Sequence, residues 1–237
     1  MSKRKDFNLQ VKNLTDASAD MYIYGDIVSS EWDRWELEDV APENIREQLD
    51  AIKGKNLNIF VNSGGGSVFA GLAIYNMLKR HEGFKTIHVD GVAASISSII
   101  AFAGDKLIIP KSSYLMIHKP WVASSGNAND LRKTADDLDR IEEGLLNIYE
   151  ANLNEGIEMS EIKAMLENET WLSGIEAAKY FNVEVTESQA VASIESDFLN
   201  SENVPESLKA APQLPSKTEP QPPLQDIDSL LLEIDFL

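Results

Sequence analysis

The amino-acid sequence predicts an α/β fold with a mostly parallel β-sheet, and three patterns along the chain lead to this prediction. Short segments rich in β-branched and aromatic residues alternate with segments of helical periodicity. Such alternation indicates βαβ units with right-handed crossovers. Two of the helices that follow strands are apolar on all sides, which predicts deep burial. One long amphipathic helix follows at residues 127–156.

The first half of the chain is predicted to contain three strands and three helices. Residues 21–29 alternate apolar and polar side chains, as a strand does. Ile45, Leu49 and Ile52 have helical spacing behind a proline, which predicts a helix over 42–52. The remaining elements of this half are a strand at 56–62, a helix at 68–81, a strand at 85–91 and a helix at 93–104.

The second half is predicted to begin with two strands, in "KLIIP" and "SYLMIHKP". The long helix 127–156 comes next, and two shorter helices lie around "ETWLSG" within 159–183. The candidate apolar face of the long helix is formed by Leu131, Leu138, Ile141, Leu145, Ile148 and Leu153.

The composition divides the chain into four parts. Residues 1–20 are predicted to be an N-terminal extension, and residues 21–197 the folded domain. Six of the nine prolines lie between residues 205 and 223, which predicts a disordered linker over 198–225. The acidic, amphipathic segment 226–237 follows. We expect it either to dock against a partner or to remain a soluble terminus.

The overall composition excludes several classes of function. The chain has no cysteine, so it has neither a thiol nucleophile nor a thiolate metal site. A net charge of −18 argues against a nucleic-acid partner, since such partners are held mainly by lysine and arginine. Neither a secretory signal nor an apolar run of about 20 residues is visible, which predicts a soluble, cytoplasmic protein without a membrane partner. We expect no cofactor and no metal.

The chain offers three histidines as candidate bases. His81 ends a predicted helix beside basic residues, which is typical of a surface or capping residue. His88 lies within a strand, where a packed and hydrogen-bonded histidine is expected. His118 ends an apolar run just before Pro120. It is either a core histidine or a general base at the end of a strand.

Three serines lie in the small, apolar segment "GVAASISSIIAFAG" at 91–104. Ser95 comes between a strand and a helix, where small neighbours leave a hydroxyl exposed, as in the nucleophile elbow of other hydrolases. Ser97 and Ser98 fall in the next helical turn and are expected to pack or to bond to a carbonyl. Spacing alone leaves open whether Ser95 is a nucleophile or a helix residue.

The glycine run "NSGGGS" at 62–67 has three possible uses. A phosphate-binding loop is disfavoured because the Gly-Lys-Ser/Thr ending is missing. A plain turn remains an alternative. The third use is the donation of backbone amides to an oxyanion, because a predicted helix starts directly afterwards.

Taken together, "NSGGGSVFAGLAIYNML", "GVAAS" and "LMIHKP" resemble the Clp protease proteolytic subunit family in order and spacing, over residues 21–185. The resemblance implies a ClpP/crotonase-type fold, a serine peptidase and a long handle helix through which rings stack. It implies Ser95 as nucleophile, His118 as base, and the backbone amides of Gly66 and Ile96 as oxyanion donors. Residues 122–130 correspond to the segment beside the substrate groove, where strand addition by a peptide is expected.

The acid of the implied triad departs from the family pattern. The family has an aspartate there, whereas this sequence has Glu169 before "TWLSG". Glutamate also accepts a proton from histidine Nδ1, so Glu169 is the candidate acid and Glu167 the fallback. The alternative is a surface acid that caps the following helix.

Three hypotheses of function follow. The first is an ATP-independent serine endopeptidase that forms a homo-oligomeric ring and processes capsid or scaffold proteins. Within the family, "ETWL" and the Pro-rich tail resemble bacteriophage head maturation proteases, and an ATPase partner is not expected. The second is a catalytically inactive ClpP-fold assembly or scaffold factor, against which the intact Ser95 and His118 argue. The third, a crotonase-like acyl-CoA enzyme, ranks last because that chemistry needs no such pair.

Overall fold

A seven-stranded sheet organises residues 12–187, the part of the chain that the computed structural model describes. The predicted N-terminal extension is described only from residue 12. The predicted linker 198–225 and terminal segment 226–237 lie outside the described residues. The strands are β1 Ser18–Ile27, β2 Asn56–Gly66, β3 Lys85–Ala94, β4 Lys106–Pro110, β5 Tyr114–Ile117, β6 Thr170–Ser173 and β7 Glu184–Thr186.

Six α-helices connect these strands within the described range. They are α1 Pro42–Ala51, α2 Val68–Arg80, α3 Ile96–Ala101, α4 Ala128–Glu150, α5 Met159–Glu167 and α6 Gly174–Tyr180. A short 3₁₀ helix at Glu31–Asp33 lies between β1 and α1. Each predicted helix and strand is present, with ends that differ by a few residues.

The sheet is mostly parallel, as predicted. Its strand order is β1-β2-β3-β4-β7, with β5 paired to β3 and β6 paired to β5. All of these pairs are parallel except β5–β6. The first half of β3 pairs with β4 and its second half with β5, so the sheet divides at the carboxyl end of β3.

The two helices predicted to be apolar on all sides behave differently. Every residue of α3 is buried. In α2, by contrast, Phe69 is 68% exposed, so the prediction of burial on all sides was wrong for this helix. One side of α2, with Ala70, Ile74 and Leu78, packs in the core, and its other side faces outward.

The long helix α4 packs against the core through its carboxyl-terminal half. Leu145 and Tyr149 are buried, whereas Leu131 of the predicted apolar face is 45% exposed. The helix ends at Glu150 rather than at residue 156. The Asn152 side chain there donates to the carbonyl oxygen of Ile148, so the carbonyl of a last-turn residue is satisfied.

Two strands were not predicted. β6 is formed by part of "ETWLSG", and β7 has only three residues. Both depend on partners distant in sequence, since β6 pairs with β5 and β7 with β4. Among the described residues, no helix is both long and apolar enough to cross a membrane.

Candidate active site

The carboxyl ends of neighbouring parallel strands bring the predicted site residues to one edge of the sheet. Gly66 ends β2, Ser95 directly follows β3, and His118 directly follows β5. β3 and β5 are paired so that Ala94 lies opposite Met116. Ligands of α/β proteins commonly bind outside this edge of the sheet.

Ser95 has an unusual backbone conformation. Its φ of 54° and ψ of −127° lie outside the favoured regions for a residue with a side chain. Its amide donates to the carbonyl oxygen of Met116 at 3.0 Å, which ties the turn to β5. Such a sharp turn between a strand and a helix exposes the Oγ atom, as the nucleophile elbow does.

The hydroxyl of Ser95 contacts the imidazole of His118. The distance from Ser95 Oγ to His118 Nε2 is 2.7 Å, a hydrogen bond. With the imidazole proton on Nδ1, Nε2 accepts the serine hydrogen. Burial lowers the pKa of His118, and the Glu169 carboxylate opposes this by raising it. The net effect lowers the pKa, so the ring is uncharged at neutral pH and able to accept a proton.

The acid beside His118 is Glu169. β5 and β6 are antiparallel with Ile117 opposite Thr170, and His118 and Glu169 are the residues that adjoin this last pair. The carboxylate of Glu169 is close enough to raise the pKa of His118. The positive φ of Glu169, 46°, marks the turn from α5 into β6. The fallback candidate Glu167 is directed elsewhere, since it forms an exposed ion pair with Lys119 at 3.4 Å.

The glycine run approaches the turn at Ser95 closely. A Cβ atom on Gly65 would lie 2.7 Å from Cβ of Ser95 and 3.3 Å from the amide nitrogen of Ile96. A Cβ atom on Gly66 would lie only 2.2 Å from the carbonyl oxygen of Ile27. Both glycines also have positive φ angles, 103° and 135°. No other residue type fits at either position.

The amide of Ile96 lies at the start of α3, where the first amides have no acceptor within the helix. The sequence identified Gly66 and Ile96 as candidate donors. It missed Gly65 as the glycine in contact with Ser95. The three consecutive glycines were the available signal.

The other two serines have structural partners. Ser97 Oγ donates to the carbonyl oxygens of Ser63 at 2.8 Å and Ala94 at 2.7 Å. Ser98 Oγ donates to the carbonyl oxygen of Ser95 at 2.6 Å and lies 2.8 Å from the hydroxyl of Tyr149. Of the three serines, only Ser95 contacts a histidine.

Tyr149 links the long helix α4 to the nucleophile turn. Its ring is buried against Phe102 and Phe181, and its hydroxyl reaches Ser98, which in turn holds the carbonyl of Ser95. Burial raises the pKa of Tyr149, so it remains a neutral hydroxyl. No pattern in the sequence singled out this tyrosine, because the contact joins residues 51 positions apart.

The remaining histidines serve elsewhere. His81 follows the last residue of α2, and its Nε2 lies 2.7 Å from the carbonyl oxygen of Lys55. His88 stacks on Phe60 with ring centroids 5.0 Å apart. Neither interaction involves Ser95. Within residues 12–187, no three His, Asp or Glu side chains form a group that could hold a metal ion.

Comparisons with known proteins point in one direction. A family model described as Clp protease matches residues 36–185. A Bacteroides fragilis protein called ATP-dependent Clp protease proteolytic subunit is 30% identical over 152 residues, which cover 61% of this chain and 72% of that protein. A Porphyromonas gingivalis protein with the same name is 30% identical over 152 residues, covering 61% and 67% respectively.

Solved structures give the same result. A ClpP1 mutant from Listeria monocytogenes has a TM-score of 0.58 and 27% sequence identity. The match covers 72% of this chain and 92% of that one. The similarity therefore extends over almost the whole of the related chain.

Proposed function

The chain belongs to the Clp protease family, and from this premise we propose that it is a serine endopeptidase with Ser95 as its nucleophile. The observation that carries the proposal is the 2.7 Å hydrogen bond between Ser95 Oγ and His118 Nε2. Glu169, which raises the pKa of His118, completes the proposed triad as the acid that orients the ring.

The proposed reaction is acyl transfer in two halves. His118 takes the proton of Ser95 while Oγ attacks the carbonyl carbon of a peptide bond. The amides of Gly66 and Ile96 donate to the oxyanion of the tetrahedral intermediate. His118 then gives its proton to the departing amine. A water molecule, activated by the same imidazole, hydrolyses the acyl-enzyme and releases the second product.

The segment after the base supports an extended substrate. Residues 119–127 form no regular secondary structure, and residues 121–127 are all exposed. A peptide chain added beside this segment forms backbone hydrogen bonds irrespective of its sequence. The side chains of the bound peptide then determine which substrates are preferred.

We further propose that the protease acts in the cytoplasm without ATP, as a homo-oligomeric ring, on capsid or scaffold proteins. The relatives named above are called ATP-dependent, and that property is theirs. For this chain the proposal rests on the "ETWL" acid site and the Pro-rich segment after residue 197, which resemble those of head maturation proteases. Cleavage of an unfolded protein by the purified chain, without nucleotide or ATPase, tests ATP independence.

The decisive experiment for the chemistry is active-site labelling. A fluorophosphonate probe should label Ser95 in the wild-type protein, and mass spectrometry should locate the label on the peptide that contains it. Ser95→Ala should abolish labelling and lower kcat by about 10⁶. Ser97→Ala should largely keep both, because the hydroxyl of Ser97 hydrogen-bonds to the backbone carbonyls of Ser63 and Ala94.

The same experiment separates the rival functions. An inactive scaffold protein would not react with the probe in any variant. A crotonase-like enzyme would retain its activity in Ser95→Ala, because its chemistry does not pass through a serine. Either result would overturn the proposal.

A further inference from the structure

Two tryptophans stand almost fully exposed between β1 and α1. Trp32 is 85% exposed and Trp35 is 90% exposed. We call residues 29–39, which contain both, the tryptophan loop. Large aromatic side chains of this kind are enriched where proteins bind partners. The family match begins only at residue 36, so both tryptophans precede the part of the chain that the family model describes.

The loop is fixed by buried polar side chains rather than being a loose excursion. Arg34, which is buried, donates to Asn44 of α1 at 3.3 Å. Asp39, also buried, accepts from the amide of Trp35 at 2.9 Å and from the amide of Glu36 at 3.0 Å. These bonds hold the backbone on either side of Trp35. A preorganised backbone lowers the entropy cost of presenting the tryptophans to a ligand.

The loop starts at the active-site edge of the sheet. It follows the carboxyl end of β1, next to the carboxyl end of β2. The hydroxyl of Ser29 donates to that of Ser67 at 3.1 Å, and the amide of Ser67 donates to the carbonyl oxygen of Ile27 at 2.7 Å. Ser67 directly follows Gly66, so the loop starts beside the proposed oxyanion donor.

The charge of the loop indicates what it binds. Five carboxylates surround the two tryptophans, and one guanidinium is present. The carboxylates belong to Glu31, Asp33, Glu36, Glu38 and Asp39, and all but Asp39 are exposed. A second copy of this chain, with its net charge of −18, would meet the loop with like charge. Lysine or arginine side chains, by contrast, pair with the carboxylates and stack on the indole rings.

We propose that the tryptophan loop is a substrate-binding surface for polypeptide segments in which basic residues lie next to apolar ones. The inference rests on the proposed peptidase function, whose site it extends along the same edge of the sheet. The tryptophans contact the apolar residues and the cations, and the carboxylates favour basic over acidic segments. Substrate selection then begins at a surface outside the reacting atoms.

Peptide binding to the full chain tests the inference. The protein carries Ser95→Ala, so that bound peptide is not cleaved. Two fluorescein-labelled peptides of equal length are compared, one with lysines between leucines and phenylalanines, the other with glutamates in place of the lysines. Fluorescence anisotropy gives Kd for each. We expect the lysine peptide to bind more tightly than the glutamate peptide. Raising the salt concentration should weaken the binding of the lysine peptide, because salt screens its charges.

The variants locate the binding surface. The double substitution Trp32→Ala and Trp35→Ala should raise the Kd of the lysine peptide by about tenfold or more, because aromatic side chains contribute most of the binding energy in such contacts. Glu36→Gln with Glu38→Gln leaves both tryptophans in place and should reduce the preference for lysine over glutamate. The matched control is Phe84→Ala, because Phe84 is 53% exposed but precedes β3 at the opposite edge of the sheet. It should bind as the parent does.

Three results would overturn the inference. The first is that the parent protein binds the two peptides with equal affinity or binds neither. The second is that the tryptophan variant binds the lysine peptide as tightly as the parent does. The third is that the tryptophan variant sediments differently from the parent while its affinity for the peptide is unchanged. The last would make the loop a contact between subunits. Because binding is measured without cleavage, failure here is distinct from failure of the peptidase proposal, which the fluorophosphonate probe tests on the wild type.

Discussion

Ser95 is held in a conformation that an isolated chain avoids. A non-glycine residue outside the favoured backbone regions costs on the order of 1–3 kcal/mol, and the surroundings must impose it. Here the hydrogen bond from the Ser95 amide to the carbonyl oxygen of Met116 fixes one side of the turn. On the other side Gly65 packs so closely that a Cβ atom on it would lie 2.7 Å from Cβ of Ser95. The fold therefore fixes the direction of the Ser95 hydroxyl before any substrate arrives.

Glu169→Gln tests the acid of the proposed triad. The amide keeps the size of the side chain but can hold His118 in the wrong tautomer, so kcat should fall by about 10⁴ while the protein stays folded. Steady-state kinetics with a peptide substrate, together with circular dichroism, measure the two effects. Glu169→Asp should recover part of the rate.

Glu167→Gln is the matched control, because its carboxylate pairs with Lys119 at the surface. It should behave as the wild type. If Glu167→Gln loses activity and Glu169→Gln does not, the acid has been assigned to the wrong residue.

The pH dependence of kcat/KM should report the pKa of His118. The reaction needs the uncharged ring, so activity falls as the pH is lowered through its pKa. Burial lowers that pKa, so the midpoint should lie below the ordinary histidine value of about 6.5. Glu169→Gln removes the charge that raises the pKa, so the midpoint of its residual activity should move lower still. A midpoint above 6.5 in the wild type would contradict the assignment.

At the scale of elements, strand register brings the proposed triad together. His118 and Glu169 each adjoin the last pair of the β5–β6 ladder, in which Ile117 lies opposite Thr170. Ser95 joins them because β3 pairs with β5 in parallel. A slip of one residue in either pairing would direct these side chains to the opposite faces of the sheet.

Gly71→Ala tests how closely α2 must approach α3. A Cβ atom on Gly71 would lie 2.2 Å from Cγ1 of Ile96, so Ile96 must shift, and with it the amide proposed as an oxyanion donor. We expect activity to fall by about tenfold or more, since loss of one such donor costs about 10²–10³ in kcat. Kinetics and thermal unfolding measure both consequences.

Gly144→Ala is the control in another helix. Nothing lies within 4 Å of a Cβ atom at Gly144 in α4, so the substitution should stabilise the protein by about 0.5–1 kcal/mol and leave activity unchanged. Equal activity in the two variants would show that Ile96 tolerates the added methyl group.

From the sequence we predicted those parts of the fold that depend on the local pattern of residues. The sequence indicated the other strands and the helices by periodicity, and it indicated Ser95 and His118 as site residues through resemblance to the Clp protease motifs, because spacing alone left both residues open. It did not predict β6 or β7, the contact of Gly65 with Ser95, or the bond from Tyr149 to Ser98. All of these depend on chain segments that meet only after folding, and periodicity carries no information about such partners. The outward side of α2 was missed for the same reason.

For the whole molecule, the free part of α4 predicts self-association. The amino-terminal half of this helix has an apolar residue, Leu131, that is 45% exposed, and its carboxyl-terminal half packs against the core. We expect a closed, cyclic homo-oligomer, whose mass by sedimentation is a multiple of the 26.3 kDa chain.

Leu131→Asp should reduce the mass of the oligomer measured by sedimentation, because it places a charge on the apolar side of α4. Lys133→Asp, two residues further and thus about 200° around the helix, is the control and should leave the mass unchanged. A monomer in the wild type at working concentration would contradict the prediction.

The pairing of β5 with β6 also bears on when the proposed triad can form during synthesis of the chain. A chain being synthesised has Ser95 and His118 long before Glu169, and β6 pairs only after residue 173 has been made and folded back. Until then His118 lacks the carboxylate that is proposed to orient its ring, so we expect the incomplete chain to have little peptidase activity. The order of synthesis thus leaves the proposed triad incomplete until residue 173 of the chain has been made.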